Sequence, residues 1–218
     1  MVQNPDKVAE AYNVVAKEYS EEFCGEHEKK PQDREILIRF SQEIADRKPV
    51  WDFGCGPGHT TKYLDTLGIE VSGLDISEKM IEQAKMIYPD IAYRKGNLLN
   101  LEFEDNSIAG IVAFYAIVHF SKEQLGKAFC EIFRVLQPGG IFLFTYHIGE
   151  EIIHLNEFLG KGVDIDFMFF RTEFIFCCVE DTGFENIDII ERDPYPEVEY
   201  QSRRAYVFAK KPTVKSDP

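Results

Sequence analysis

A chain of 218 residues with 24 Lys and Arg against 38 Asp and Glu carries a formal charge of −14. It is long enough for one α/β domain, and too acidic for a polyphosphate-binding surface, since no basic cluster exceeds pairs such as Arg203-Arg204. Five scattered cysteines (Cys24, Cys55, Cys130, Cys177, Cys178) form no CxxC pair, which argues against a disulfide framework or a zinc site and for a reducing compartment. The polar start lacks a secretory pattern and no apolar run nears the ~18 residues of a membrane span. A cytoplasmic monomer or homodimer with no nucleic-acid, membrane or metal partner is expected.

Apolar residues Val8, Ala11, Tyr12, Val15 and Tyr19 recur at helical spacing and predict a helix over 6–23, started by Asn4 or Pro5. A polar stretch over 25–32 leads to a second helix over 33–47. From Pro49 strands and helices alternate: strand 50–53, helix 60–67, strand 69–74, helix 78–87 with Ser77 as N-cap, and strand 91–94. Helices of about ten residues between strands imply right-handed crossovers and a parallel sheet covered on both faces. The apolar run 108–115 reads as a central strand, and a helix over 122–136 follows Ser121. Gln137-Pro138-Gly139-Gly140 is a turn feeding strand 141–146. Residues 147–166 read as a mixed, partly helical segment, followed by a helix over 172–181. Strands 184–191 and 202–210 then form an antiparallel hairpin at the sheet edge. The tail from Lys211 is expected to fray.

The stretch from Asp52 through Gly54, Cys55, Gly56, Pro57 and Gly58 carries the most chemistry. An apolar strand ending in glycines before a helix is a tight corner where a ligand can approach main-chain N–H groups. The next strand ends in Gly73-Leu74-Asp75, an acid about twenty residues on, where a ribose diol is met in a doubly wound fold. Asp75 also suits a plain N-cap acid before the helix over 78–87. The spacing GxGxG, with Pro57 removing one donor, differs from the GxGxxG that seats a pyrophosphate, and Asp52 would repel that group and suit an amino group better. A short NAD-dependent oxidoreductase would also want a catalytic YxxxK pair, and the match from Tyr206 to Lys210 falls within the strand predicted over 202–210, which sets the two residues about 13 Å apart.

With these residues the chain resembles the class I S-adenosylmethionine-dependent methyltransferases, in particular the small group called methyltransferase type 11 or type 25. Val50 to Gly58 looks like their first motif, Gly73 to Ser77 their ribose-binding acid, and Leu136 to Gly140 their turn before strand five. The resemblance implies an α/β, Rossmann-like fold: a seven-stranded, mostly parallel sheet with an antiparallel C-terminal hairpin, helices on both faces and an N-terminal helical cap. A single domain is expected, divided into cap (1–48), cofactor-binding core (49–147), lid insertion and helix (148–182) and C-terminal hairpin (183–211). The resemblance further implies S-adenosyl-L-methionine as cofactor, with Gly54 and Gly56 facing its methionine part, Asp75 the ribose and Ile76 the adenine. Asn97-Leu98 would read the adenine edge, where the family more often has Asp; Phe114 and Tyr115 would line the methyl donor, and Tyr12 and Tyr19 would close over it. An acid usual near the start of strand four is replaced by Ile108-Ala109-Gly110-Ile111.

Methyl transfer from a sulfonium is an in-line displacement, so the protein mainly supplies position and a dry site. His119 is the first candidate for a general base, with Tyr115 beside it; His147, Tyr146 and Glu150 follow strand five. Residues 151–171 stand where a lid would, and Phe167-Met168-Phe169-Phe170 reads equally as pocket lining or as core. Arg171, Tyr195 and Tyr200 are further acceptor contacts. The expected partner is a small-molecule methyl acceptor; the alternative is a protein that binds the cofactor without turnover.

Overall fold

The computed structural model describes residues 4–213, so the end of the expected frayed tail lies outside the described residues. In chain order the elements are α1 (Pro5–Phe23), α2 (Glu26–Lys29), α3 (Pro31–Ile44), β1 (Val50–Phe53), α4 (His59–Thr66), β2 (Val71–Asp75), α5 (Glu78–Ile87), β3 (Tyr93–Lys95), β4 (Ile108–Ala113), α6 (Lys122–Val135), β5 (Leu136–His147), β6 (Ile152–Phe158), β7 (Lys161–Met168), α7 (Thr172–Thr182), β8 (Glu185–Arg192) and β9 (Arg204–Lys210). The caps fall where short polar side chains predict them. Asn4 Oδ1 accepts from Asp6 N, Ser77 Oγ from Met80 N, and Ser121 forms a capping box with Gln124.

One sheet runs β3-β2-β1-β4-β5-β9-β8. Strands β1 to β5 are parallel, and β9 is antiparallel to both its neighbours. The chain leaves β1 outward to β2 and β3, then returns to β4 on the other side of β1. That reversal opens a crevice at the strands' carboxyl ends, the usual ligand position in open α/β sheets. Ile36, Leu37, Phe40 and Ile44 of α3 and Leu64 of α4 bury one face of the sheet, and Leu125, Phe129 and Ile132 of α6 with Ile175 and Val179 of α7 bury the other. Of residues 1–48, therefore, α3 belongs to the helix layer on the sheet, and α1 is the part that reaches over the crevice. Leu136 pairs with Ile108 and Ile141 with Gly110, so residues 137–140 form a bulge opposite Ala109, with Gly139 at φ 72°. Lys211, expected to fray, is held instead by backbone bonds with Gly139 and Gly140.

The mixed, partly helical segment expected over 147–166 is instead a β-hairpin, β6 with β7. Its signal was hidden twice. A register shift between Leu155 and Glu157 breaks the alternation of apolar residues, and the two-residue turn is Leu159-Gly160, both at positive φ (51° and 74°), where Asn-Gly would have announced it. The inner face of this hairpin, with Leu155, Val163, Ile165 and Phe167, packs on Val8, Ala11 and Tyr12 of α1. Helix α1 and the hairpin thus form one wall beside the crevice.

Candidate functional site

At the carboxyl ends of β1 and β4 lies a cavity of about 370 Å³. Gly54, at φ 72°, begins the turn after β1; a Cβ there would stand 2.4 Å from Ala116 Cβ, so only glycine lets the loops after β1 and β4 meet. Asp75, at the end of β2 and 8 % exposed, fixes the same turn: one carboxylate oxygen accepts from Gly56 N and the other from Ser77 N, both at 2.8 Å. Burial raises the Asp75 carboxyl above its ordinary value and these backbone donors oppose the rise. Each oxygen keeps a second lone pair, and the residue lines the cavity.

Ile76, Asn97, Leu98, Phe114 and Tyr115 line this end together with Gly54, Gly56 and Asp75, and Tyr12, Tyr19 and His119 line it as well. Asn97 Oδ1 accepts from Leu99 N at 2.9 Å, which orients the side chain. Asp52, Cys55 and Gly58 are not brought to the cavity. Asp52, 1 % exposed, turns toward α4, where its carboxylate accepts from Thr61 Oγ1 at 2.7 Å; burial pushes its carboxyl up to about 6 against that bond. Cys55 packs with Ile81, Ala84 and Tyr93, and Gly58 at φ 87° passes close to the Tyr93 ring at the start of α4.

His119 is held from two sides. Its Nδ1 lies 2.8 Å from the Asp166 carbonyl oxygen, which can only accept, so Nδ1 carries the proton. Its Nε2, 2.9 Å from the Tyr12 hydroxyl, is then the acceptor. Burial lowers the ring to about 4, which keeps it neutral, and raises the Tyr12 hydroxyl above its ordinary value. The arrangement is a hydroxyl facing the cavity and backed by a neutral imidazole, able to take a proton from a nucleophile as its own passes to His119.

Strand alternation divides the aromatic run at the end of β7. Phe167 and Phe169 line the cavity; Met168 and Phe170 enter the core on the α6 side of the sheet. His147 and Tyr200 also line it, with His147 stacked between Tyr115 (5.2 Å) and Phe169 (4.9 Å). Tyr146 faces away and donates to Thr172 Oγ1, Glu150 and Arg171 pair at the surface, and Tyr195 accepts from Gln32 N. Lys30, Glu26, Glu199 and Arg204 line the cavity too, yet the sequence singled out none of them for the site. Each is an ordinary charged residue in a polar stretch, a loop or a strand, and only the fold gathers them.

Residues 51–144 match the model of a methyltransferase domain family. A probable S-adenosylmethionine-dependent methyltransferase of Mycolicibacterium smegmatis is 34 % identical over 110 residues, 50 % of this chain and 42 % of that protein. The chain spans about half the length of the curated relatives it matches. Among solved structures, an S-adenosylmethionine-dependent methyltransferase of Methanosarcina mazei superposes with a TM-score of 0.72 at 17 % identity, covering 80 % of this chain and 97 % of that one. A phosphoethanolamine N-methyltransferase of Haemonchus contortus, with phosphomonomethylethanolamine and S-adenosylhomocysteine bound, does so with 0.73 at 18 %, covering 98 % and 61 %. Over residues 51–144 the chain is thus similar in sequence to S-adenosylmethionine-dependent methyltransferases, and it shares the fold of solved proteins of that class. Among the described residues no helix is long and apolar enough to cross a membrane.

Proposed function

We propose that the protein transfers a methyl group from S-adenosylmethionine to a small-molecule acceptor. The observation that carries this is the Gly54–Gly56 turn hydrogen-bonded to a cavity-facing carboxylate, Asp75, at the head of a cavity within the ~300–1,000 Å³ range of small-molecule sites. The fit is chemical as well as spatial. Asp75 offers two lone pairs to a ribose diol, Ile76 and Leu98 offer apolar surface to a purine, and Asn97 offers amide donors to its edge. Tyr19 and Tyr12 stand over the glycine corner; a Cβ on Gly56 would lie 3.9 Å from the Tyr19 ring.

When bound, the cofactor supplies an electrophilic methyl group on a sulfonium. The chain's own contribution is to bind, align and dry. Phe114, Phe158 and Phe167 exclude water from the cavity, and alignment of nucleophile with methyl accounts for several kcal/mol of barrier lowering. Tyr12, backed by His119, is the group placed to accept a proton where the acceptor's nucleophile carries one.

Calorimetry with S-adenosylhomocysteine tests the cofactor reading; one-to-one binding in the micromolar range is expected, and no binding overturns it. Transfer of a labelled methyl group to members of a panel of amines, phenols and carboxylic acids tests the activity. Binding without transfer to any acceptor would favour a protein that holds the cofactor without turnover.

A further inference from the structure

Beyond Tyr115 the cavity runs away from the glycine corner toward β9 and ends among buried charges. Arg204, 3 % exposed, lines this end. Its Nη1 donates to Ser202 O at 2.8 Å and lies 3.2 Å from Glu199 Oε1, while its buried Nε has no hydrogen-bond partner among the described residues. The Tyr115 hydroxyl is equally buried and equally without a partner. Its ring centroid is 5.8 Å from Arg204 Cζ and 5.8 Å from Lys30 Nζ, so both orphaned donors belong to one charged pocket.

The anions already present do not satisfy the cations. Glu199 accepts from Arg192 through both oxygens and from Tyr195 N, and it is also the nearest carboxylate to Arg204 and, at 3.6 Å, a partner of Lys30. Glu26 is shared between Lys30 and His59. Asp33 is engaged by Arg192 and the Tyr206 hydroxyl, and burial pushes its carboxyl up, which disfavours its charged form. A buried guanidinium with an unpaired N–H is costly unless something else accepts from it.

We propose that this inner end binds an anionic head group of the methyl acceptor, a carboxylate or a phosphate monoester, which accepts from Arg204 Nε and the Tyr115 hydroxyl. Lys30 adds attraction, and the stack of Tyr115, His147 and Phe169 walls the apolar stem that joins the head to the nucleophile. The acceptor then lies with its anion away from Asp75, which would repel it, and its nucleophile toward Tyr12. This rests on the methyltransferase reading for what lies at the other end, and on the inner end alone for the anion.

The test is titration of the purified protein, with and without saturating S-adenosylhomocysteine, with phenyl phosphate, phenylacetate and the neutral benzyl alcohol. At least one of the two anions is expected to bind about tenfold or more tightly than the alcohol, as one charge-assisted hydrogen bond allows; whichever anion binds tighter identifies the head group. Arg204→Met and Tyr115→Phe should each weaken the anion about tenfold, and Arg204→Met should leave S-adenosylhomocysteine affinity unchanged. Tyr115→Phe keeps the ring and decides the matter if Arg204→Met does not fold. Equal binding of the alcohol, or anion binding unaffected in folded variants, overturns the proposal. Anion binding in a protein that does not bind S-adenosylhomocysteine sustains the proposal and overturns the cofactor reading instead.

Discussion

The Tyr12 hydroxyl and His119 Nε2 meet at 2.9 Å across 107 positions of sequence, tying α1 to the loop after β4. The bond is directional because the Asp166 carbonyl fixes the proton on Nδ1. Helix α1 is thereby fastened over the cavity by a buried hydrogen bond, beside an apolar contact with the β6–β7 hairpin that the Lys7–Asp164 and Glu18–Lys161 ion pairs flank at the surface.

Tyr12→Phe removes the donor and leaves Nε2 buried without a partner, a loss of about 1–3 kcal/mol. For a chain of this size that corresponds to a fall in Tm on the order of 5 °C by calorimetry. In the wild type, nitrogen NMR should show the His119 proton on Nδ1 at neutral pH. A Tm equal to wild type, or a proton on Nε2, would show that the hydrogen bond is not made.

Asp75→Ala deletes the acceptor for Gly56 N and Ser77 N and, on the proposed reading, both ribose contacts. Hydrogen bonds to a charged group contribute about 1.5–3 kcal/mol each, so S-adenosylhomocysteine affinity should fall by ~100-fold or more. Calorimetry on a variant whose circular dichroism matches wild type gives the answer; unchanged affinity removes Asp75 from the ribose role.

What was legible in the sequence was whatever the local chain dictates. Glycines at positive φ, Ser77 and Ser121 as caps and the alternation of apolar strands with amphipathic helices are decided within a few residues of themselves, and they placed the parallel core and its crevice. Asp52 shows the limit. Its position before the glycines is local information, but whether the strand turns its carboxylate to the cavity or to Thr61 depends on how α4 packs back on β1. The Phe167–Phe170 run reads equally as lining and as core because β7 sends alternate rings to each, which no reading of the run as one unit could separate. Lys30, Glu199 and Arg204 converge only through tertiary folding and left no local trace.

The glycines give a paired prediction of opposite signs. At Gly54 an alanine would suffer both positive φ and a 2.4 Å approach to Ala116 Cβ, and should destabilise by about 2–4 kcal/mol. At Gly126, inside α6 with nothing within 4 Å of a built Cβ, alanine should stabilise by about 0.5–1 kcal/mol. Urea unfolding of both variants checks this. Similar losses at the two sites would mean that the loops after β1 and β4 adjust to admit the methyl group.

Acid should unfold this protein earlier than its carboxylates alone would suggest. Burial lowers His119 to about 4 and both His27 and His147 to about 3, from an ordinary 6.5. Below pH 6.5 the unfolded chain binds protons on these rings that the folded chain refuses, so their contribution is complete above 6.5 and is lost as pH falls toward 4 and then 3. For His119 alone the full difference corresponds to roughly 3 kcal/mol. Glu26, held well below the usual carboxylate range by His59 and Lys30 despite its burial, adds a loss of the same sign at lower pH. Asp52 works the other way: with its carboxyl raised to about 6, the folded state takes up that proton first and gains on acidification. Asp33 and Asp75, whose carboxyls burial also raises, and the exposed His154, raised by its bond to Asp166, act in the same direction as Asp52. The three rings, which the unfolded chain protonates wholly between pH 7.5 and pH 5, outweigh them, so the urea midpoint should drop over that interval. His27→Gln, whose amide can keep the bond to Thr60, should make the drop shallower by about a third, as expected for one ring of three. A midpoint flat over that interval would mean that the buried rings accept protons without unfolding the chain.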